Sequence, residues 1–262
     1  MNPPSSPFEL RWNLFGIRYR VAPSFWLISA LLAYVLVVHG MPVDAGTMCV
    51  LVAIDVGCIF TAIVFCNFVQ GLVYRSYGIR SEVHIQDFFG GIVPEDRPAT
   101  SLQRIAVALA NPASAFLLYA VVIATNTEFA WAKQSMYTQI AFAILRIISL
   151  AWGVIGLIPM WPYSGGQVLM EVLNWVLPRR GLEITLIISI VVAIAYIAYV
   201  ALYSFGHARL IRFTEEAYLP PSIILAVFFG ISTMRNVQLL QFVRQQRREF
   251  FAESDDRVPW ER

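Results

Sequence analysis

Charged residues make up only 14% of this 262-residue chain against 58% hydrophobic, and its mean hydropathy is +0.64. That scarcity excludes an ordinary soluble domain, in which about a quarter of the residues carry charge. The bilayer is therefore the solvent in which the sequence is read. Cysteine is scarce as well. Cys49, Cys58 and Cys66 all fall on or beside one apolar run, so they cannot form the spaced disulfide framework of a small secreted scaffold. No internal repeat, low-complexity linker or large soluble insertion divides the chain, which reads as a single membrane domain over 1–262. The net charge of +2, with basic residues where topology needs them, leaves no nucleic-acid footprint.

Apolar length is what the sequence has in quantity. About 20 apolar residues cross roughly 30 Å of hydrocarbon, and residues 21–38, 47–74, 105–125, 135–158, 184–206 and 217–234 qualify. Pro220 and Pro221 shorten the last of these, Pro221 in the role of a first-turn proline. The expected fold class is an all-α polytopic membrane protein with about six transmembrane helices and a short β-hairpin-like loop at the cytoplasmic surface. Arg11, Arg18 and Arg20 precede the first span, and the loop after it, HGMPVDAG, has no Lys or Arg, so the N terminus is expected inside. Arg75, Arg80, Arg97, Arg104, Arg179 and Arg180 agree with that orientation, whereas Arg209 and Arg212 oppose it. An even number of spans returns the C terminus to the cytoplasm of a cell (inner) membrane. The leading segment MNPPSSPFELRWNLFGIRYR does not read as a cleavable signal, so the first span is expected to remain as an anchor.

Between the second and third spans, Val83 and Ile85, then Phe88 and Phe89, predict a short strand ending at the Gly90-Gly91 turn. Unpaired backbone is costly beside lipid, so the strand is expected to fold as a hairpin against the helices. After Met234, Val237, Leu240 and Val243 at helical spacing among basic residues fit either a surface-lying amphipathic helix or a solvated tail.

A charge at the bilayer centre costs roughly 2.5–3.5 kcal/mol on insertion scales, which singles out Asp55 and Arg146. At 1.5 Å per residue they lie about 12 Å and about 16 Å into two spans that run the same way. Those depths suit an intramembrane ion pair, serving either as an ion path or as a lock on helix register. A metal site from Asp55, Cys58 and His84 is excluded, because His84 follows the exit of the helix that carries the other two. His39 and His207 fall in outer loops, and Trp152 and Trp161 read as packing or interfacial residues.

Four segments in order resemble the landmarks of the site-2 protease family of intramembrane zinc metalloproteases. FGIRYRVAPSFWL is similar to the family's entry into its first span. AIVFCNFVQGLVYRSYGI resembles the helix that normally carries His-Glu-x-x-His. IQDFFGGIVP with RIAVALANPASAFLLYA is similar to the Gly-Gly hairpin and next span, where the usual Ala-Gly-Pro becomes Ala110-Asn111-Pro112. GVIGLIPMWPYSGGQVLMEVL resembles the Asn-x-x-Pro-x-x-Pro-x-Asp-Gly-Gly element that supplies a third metal ligand. The resemblance implies a 1–20 cytoplasmic segment, a 21–175 protease-like core, two further spans in 182–234 and a 235–262 tail.

A zinc site of that kind needs three protein ligands, a water whose pKa falls to about 7, and a carboxylate base. At the family's positions this sequence has Cys66, Gln70 and Ser164 for the ligands and Asn67 for the base. An amide is a weak ligand and takes no proton from water near neutral pH, so no metal, no catalytic residue and no cofactor are expected. Zinc enters only if the atypical ligands still work. The four residues are expected to hydrogen-bond one another as interhelical glue. Gly90, Gly91, Asn111, Pro159, Pro162, Gly165 and Gly166 shape the backbone without needing metal, so a groove for an extended transmembrane segment is expected to survive, with Val83 to Ile85 as the edge strand that pairs with it. Three functions stay open: a pseudoprotease that binds a membrane partner or substrate helix, an active intramembrane zinc metalloendopeptidase with atypical ligands, and a small transporter or channel component. The expected partners are the lipid bilayer and a transmembrane protein segment.

Overall fold

The computed structural model describes residues 9–34, 44–85, 91–129, 135–178, 180–206 and 222–255. Gly90, Phe88 and Phe89 lie outside the described residues, as do Arg179, Arg209, Arg212, His39, His207, Pro220 and Pro221. The chain divides into two compact units, Met1–Gly156 and Leu157–Arg262.

The first unit opens with a sheet. Strands β1 (Leu10–Leu14) and β2 (Ile17–Val21) form an antiparallel hairpin, in register Leu14↔Ile17 and Trp12↔Tyr19. Its two-residue turn places Phe15 at φ 47° and Gly16 at φ 84°, the left-handed pair that matches strand twist. Two helices follow, α1 (Pro23–Ala33) and α2 (Ala45–Ser76), then β3 (Ser81–Ile85) and β4 (Gly91–Pro94). The sheet order is β1-β2-β3-β4, with β2 and β3 parallel and β3 and β4 antiparallel. Period-two alternation gives this sheet two chemistries. Ile17, Tyr19, Val21, Val83 and Ile85 form one buried core with Phe25 of α1 and Ile59 and Ile63 of α2. Arg18, Arg20, Glu82 and His84 take the alternate positions on the same two strands. Trp12 and Tyr19 stack at 5.0 Å, and burial pushes the Tyr19 phenol well above its usual range.

Helix α2 has clear local stop signals. Asp44 caps its start by accepting from the Thr47 N–H at 3.0 Å and the Thr47 hydroxyl at 2.7 Å, which holds its carboxyl below the ordinary value. At its end the N–H of Ile79 bonds Tyr74 O and that of Gly78 bonds Arg75 O, a Schellman closure with Gly78 at φ 76°. Helix α3 (Ser101–Glu128) begins with a reciprocal Thr100–Gln103 capping box and contains Pro112; α4 (Met136–Leu157) completes the unit. Gly153 and Gly156 let α4 approach Phe116 and Pro112 of α3, where a Cβ would crowd.

The second unit contains α5 (Ser164–Val176), α6 (Gly181–Ser204) and α7 (Ile223–Asp255). Glu183 of α6 is gripped by Arg244 at 3.0 Å and Arg247 at 2.7 Å, tying the start of α6 to α7.

Among the described residues, four helices are long and apolar enough to cross a membrane: α2, α3, α4 and α6. The chain is thus a mostly helical integral membrane protein with a small four-stranded sheet. The expected count of about six differs at two places. α1 is described over only 11 residues, since 35–38 of the expected first span lie outside the described region. Residues 217–221 of the expected last span also lie outside the described region, and α7 runs from Ile223 without a break past Met234, where that span was expected to end.

Candidate functional site

The positions singled out on α2 are buried, with 1% of Cys66, 3% of Asn67 and 8% of Gln70 exposed. Their polar atoms are largely occupied. Asn67 Nδ2 donates to Ile63 O, one turn back on its own helix, at 2.8 Å. Gln70 Nε2 donates across to Val107 O on α3 at 3.1 Å, and Gln70 Oε1 accepts from Asn111 Nδ2 at 3.4 Å. Ser114, buried on α3, donates to Asn111 O at 2.6 Å and comes within hydrogen-bonding range of the Cys66 thiol. The bonds found here are not the expected ones among Cys66, Asn67, Gln70 and Ser164. Asn67 turns inward on α2, while Asn111 and Ser114 of α3 supply the cross-helix contacts. Their signal was present: both sit one turn apart around Pro112, polar residues in an otherwise apolar run.

This donor set does not fit a zinc ion. Both ends of the Gln70 amide are spoken for, the Asn67 amide donates to backbone, and Cys66 is the one soft donor among these three residues. Among the described residues no three His, Cys, Asp or Glu side chains come together as a metal centre would need.

Asp55 and Arg146 do not pair. Asp55 is 5% exposed on α2, one turn from Cys58, whose Sγ reaches Ala141 O of α4 at 3.5 Å. Arg146 lines a cleft of about 400 Å³ with Val122, Asn126 and Thr127 of α3 and Gln139 of α4. The reason is azimuth rather than depth. Arg146 comes five residues after Ala141, about 140° around the helix, so the face of α4 that meets Cys58 is not the face that carries the guanidinium.

Val83 to Ile85 is also not an edge. β3 is paired on both sides, by β2 through Tyr19↔Val83 and by β4 through Val83↔Ile92. The N-terminal hairpin fills the side that sequence reasoning left free. Among the described residues the outer strands are β1 and β4, and Val93 of β4 is 51% exposed. Gly91, expected at a turn, is the first residue of β4 and pairs with His84.

In the second unit, half-buried Ser164 is the first residue of α5, and Gly165 and Gly166 follow. A Cβ at Gly165 would strike the carbonyls of Leu157 and Ile158, and one at Gly166 the backbone of Met160 and Trp161, so the preceding Pro159–Pro162 turn folds directly onto the helix start. That turn contains a cis Trp161–Pro162 bond and is held from two sides. Trp161 N–H donates to Ser189 Oγ of α6 at 2.8 Å, and Trp161 O accepts from Asn236 Nδ2 of α7 at 3.0 Å. Ser189 and Asn236 are 0% and 2% exposed and were not singled out from sequence; Ser189 stands in an apolar run, whereas Asn236 is masked by its polar neighbours Thr233, Arg235 and Gln238.

No protein-family model matches the chain. Over 164 residues it is 30% identical to "Putative zinc metalloprotease sll0528" of Synechocystis, covering 61% of this chain and 42% of that protein. The chain thus spans well under half the length of the curated relative it matches. In fold it is similar to the site-2 protease from Methanocaldococcus jannaschii, with a TM-score of 0.59 at 16% identity over 89% of this chain and 95% of that one.

Proposed function

We propose that this membrane protein of site-2-protease-like fold is a pseudoprotease, binding a transmembrane partner or substrate helix without cleaving it. The observation that carries the reading is the Gln70 amide, held at both ends by α3 on the helix where the family places its paired ligands. Asn67, at the position of the base, is an amide donating to backbone and offers no proton acceptor of useful strength. Binding without cleavage would draw on the outer β4 edge, where an extended segment can add as a fifth strand through main-chain hydrogen bonds.

The test compares purified wild type with a variant carrying Cys66→His, Asn67→Glu, Gln70→His and Ser164→Asp. Wild type is expected to contain no stoichiometric zinc and to leave a transmembrane reporter intact. Gain of both zinc and cleavage by the variant localises the loss to these four positions. Wild-type protein with stoichiometric zinc and Cys66- or Gln70-dependent cleavage would instead establish an active protease with atypical ligands.

A further inference from the structure

A cavity of about 580 Å³ opens in the first unit where the end of α2 meets the sheet. Three arginines line it: Arg18 of β2, Arg75 of the last turn of α2, and Arg80 at the approach to β3. All three are exposed. Of the two carboxylates in its wall, Glu82 is bound by Arg20 at 2.5 Å with His84 Nε2 at 3.4 Å from its other oxygen, so Glu95 is left to offset three guanidiniums. Arg75 is oriented by donating to Phe15 O and presses on Gly16, where a Cβ would meet its Nη1 at 2.6 Å. Planar forks held this way match the tetrahedral oxygens of a phosphate.

The surroundings say which phosphate. α2 is 32 residues long, about 48 Å at the helical rise, which exceeds the roughly 30 Å hydrocarbon layer, so its terminal Arg75 stands at headgroup level. Beside it Phe15 is 72% exposed at the hairpin tip, its ring 5.8 Å from Phe68 of α2, and Leu72, one turn after Phe68 and next to the cavity-lining Gly71, is 40% exposed. An apolar shelf beside a cationic cavity at the membrane surface suits a molecule with both parts. We propose that this cavity binds the headgroup phosphate of an anionic membrane lipid, with the acyl chains running along Phe15, Phe68 and Leu72.

The experiment is calorimetric titration of the purified full-length protein, in uncharged detergent, with dihexanoyl-phosphatidylglycerol, dihexanoyl-phosphatidylcholine and inorganic phosphate. Phosphatidylglycerol is expected to bind saturably and at least about tenfold more tightly than phosphatidylcholine. Arg18→Gln with Arg80→Gln should weaken it about tenfold or more, the loss of two charge-assisted contacts. Arg244→Gln with Arg247→Gln removes the same charge from the second unit and should change it less than twofold. Phe15→Asn suits the left-handed turn, so it keeps the hairpin folded while removing the shelf; it should weaken phosphatidylglycerol several-fold. Equal affinity for the two lipids, equal losses in both arginine pairs, or no effect of Phe15→Asn would overturn the proposal. So would inorganic phosphate binding as tightly with the same arginine dependence, which would make this a site for a soluble anion.

Discussion

Replacing Gln70 with methionine keeps the side chain's length and removes both of its hydrogen bonds, so its effect reports on what the amide does. A hydrogen bond contributes about 1 kcal/mol net in proteins generally and about 0.6 kcal/mol on average between membrane helices. The bond to Val107 O is well formed at 3.1 Å, while the one from Asn111 is long at 3.4 Å. Methionine leaves no cavity, but Asn111 Nδ2 loses its acceptor, which adds a desolvation cost in a half-buried site. The expected loss is about 1–2 kcal/mol. It would be read from reversible unfolding in mixed detergent micelles followed by far-ultraviolet circular dichroism. A ligand present at 100 times its dissociation constant adds about 2.7 kcal/mol, so the same titration with zinc asks whether the site binds metal. Zinc should leave wild type and Gln70→Met unchanged. A zinc-dependent gain in wild type that vanishes in Gln70→Met would refute the reasoning, as would a variant within about 0.3 kcal/mol of wild type.

Glu82 supplies a pH dependence. Burial pushes its carboxyl up, but the Arg20 guanidinium and His84 outweigh that and leave it below its ordinary value of 4.5. A lowered folded-state pKa means that the stabilisation is full above about pH 4.5 and is lost as the pH falls below it, so wild type and Glu82→Gln should differ at neutral pH and converge in acid. Gly165→Ala forces a methyl against two backbone carbonyls that have nowhere to move, and thermal unfolding should register a loss of about 2–3 kcal/mol. Ser189→Ala strips the acceptor from the Trp161 N–H and should cost about 1–2 kcal/mol, with Ser189→Thr recovering part of it. Because Arg146 makes no ion pair with Asp55, Arg146→Leu should fold and insert at least as well as wild type and leave ion flux in proteoliposomes at background; a flux lost in this variant would favour a transport function.

Helix limits were legible because their causes are consecutive in sequence. The span read as 47–74 is Ala45–Ser76, bounded by Asp44 and Gly78, and residues 135–158 form Met136–Leu157. The strand at Val83 and Ile85 was legible for the same reason, through alternation over five residues. Its partners were not. β2 reaches β3 across the whole of α1 and α2, and nothing local in Ile17–Val21 says that it inserts parallel to Ser81–Ile85 and takes the edge away from it. Depth along a helix follows from counting residues, which placed Asp55 and Arg146 at compatible levels, but azimuth relative to a neighbour does not, and the two point to different surroundings. The identities at 66, 67, 70 and 164 are read directly from the sequence. That Gln70 answers to Val107 and Asn111, 37 and 41 residues on, depended on how α3 packs against α2. Propensity, capping and hydropathy are sums over neighbours in the chain, whereas pairing is settled by which surfaces exclude lipid and water together, and that is a property of the folded whole.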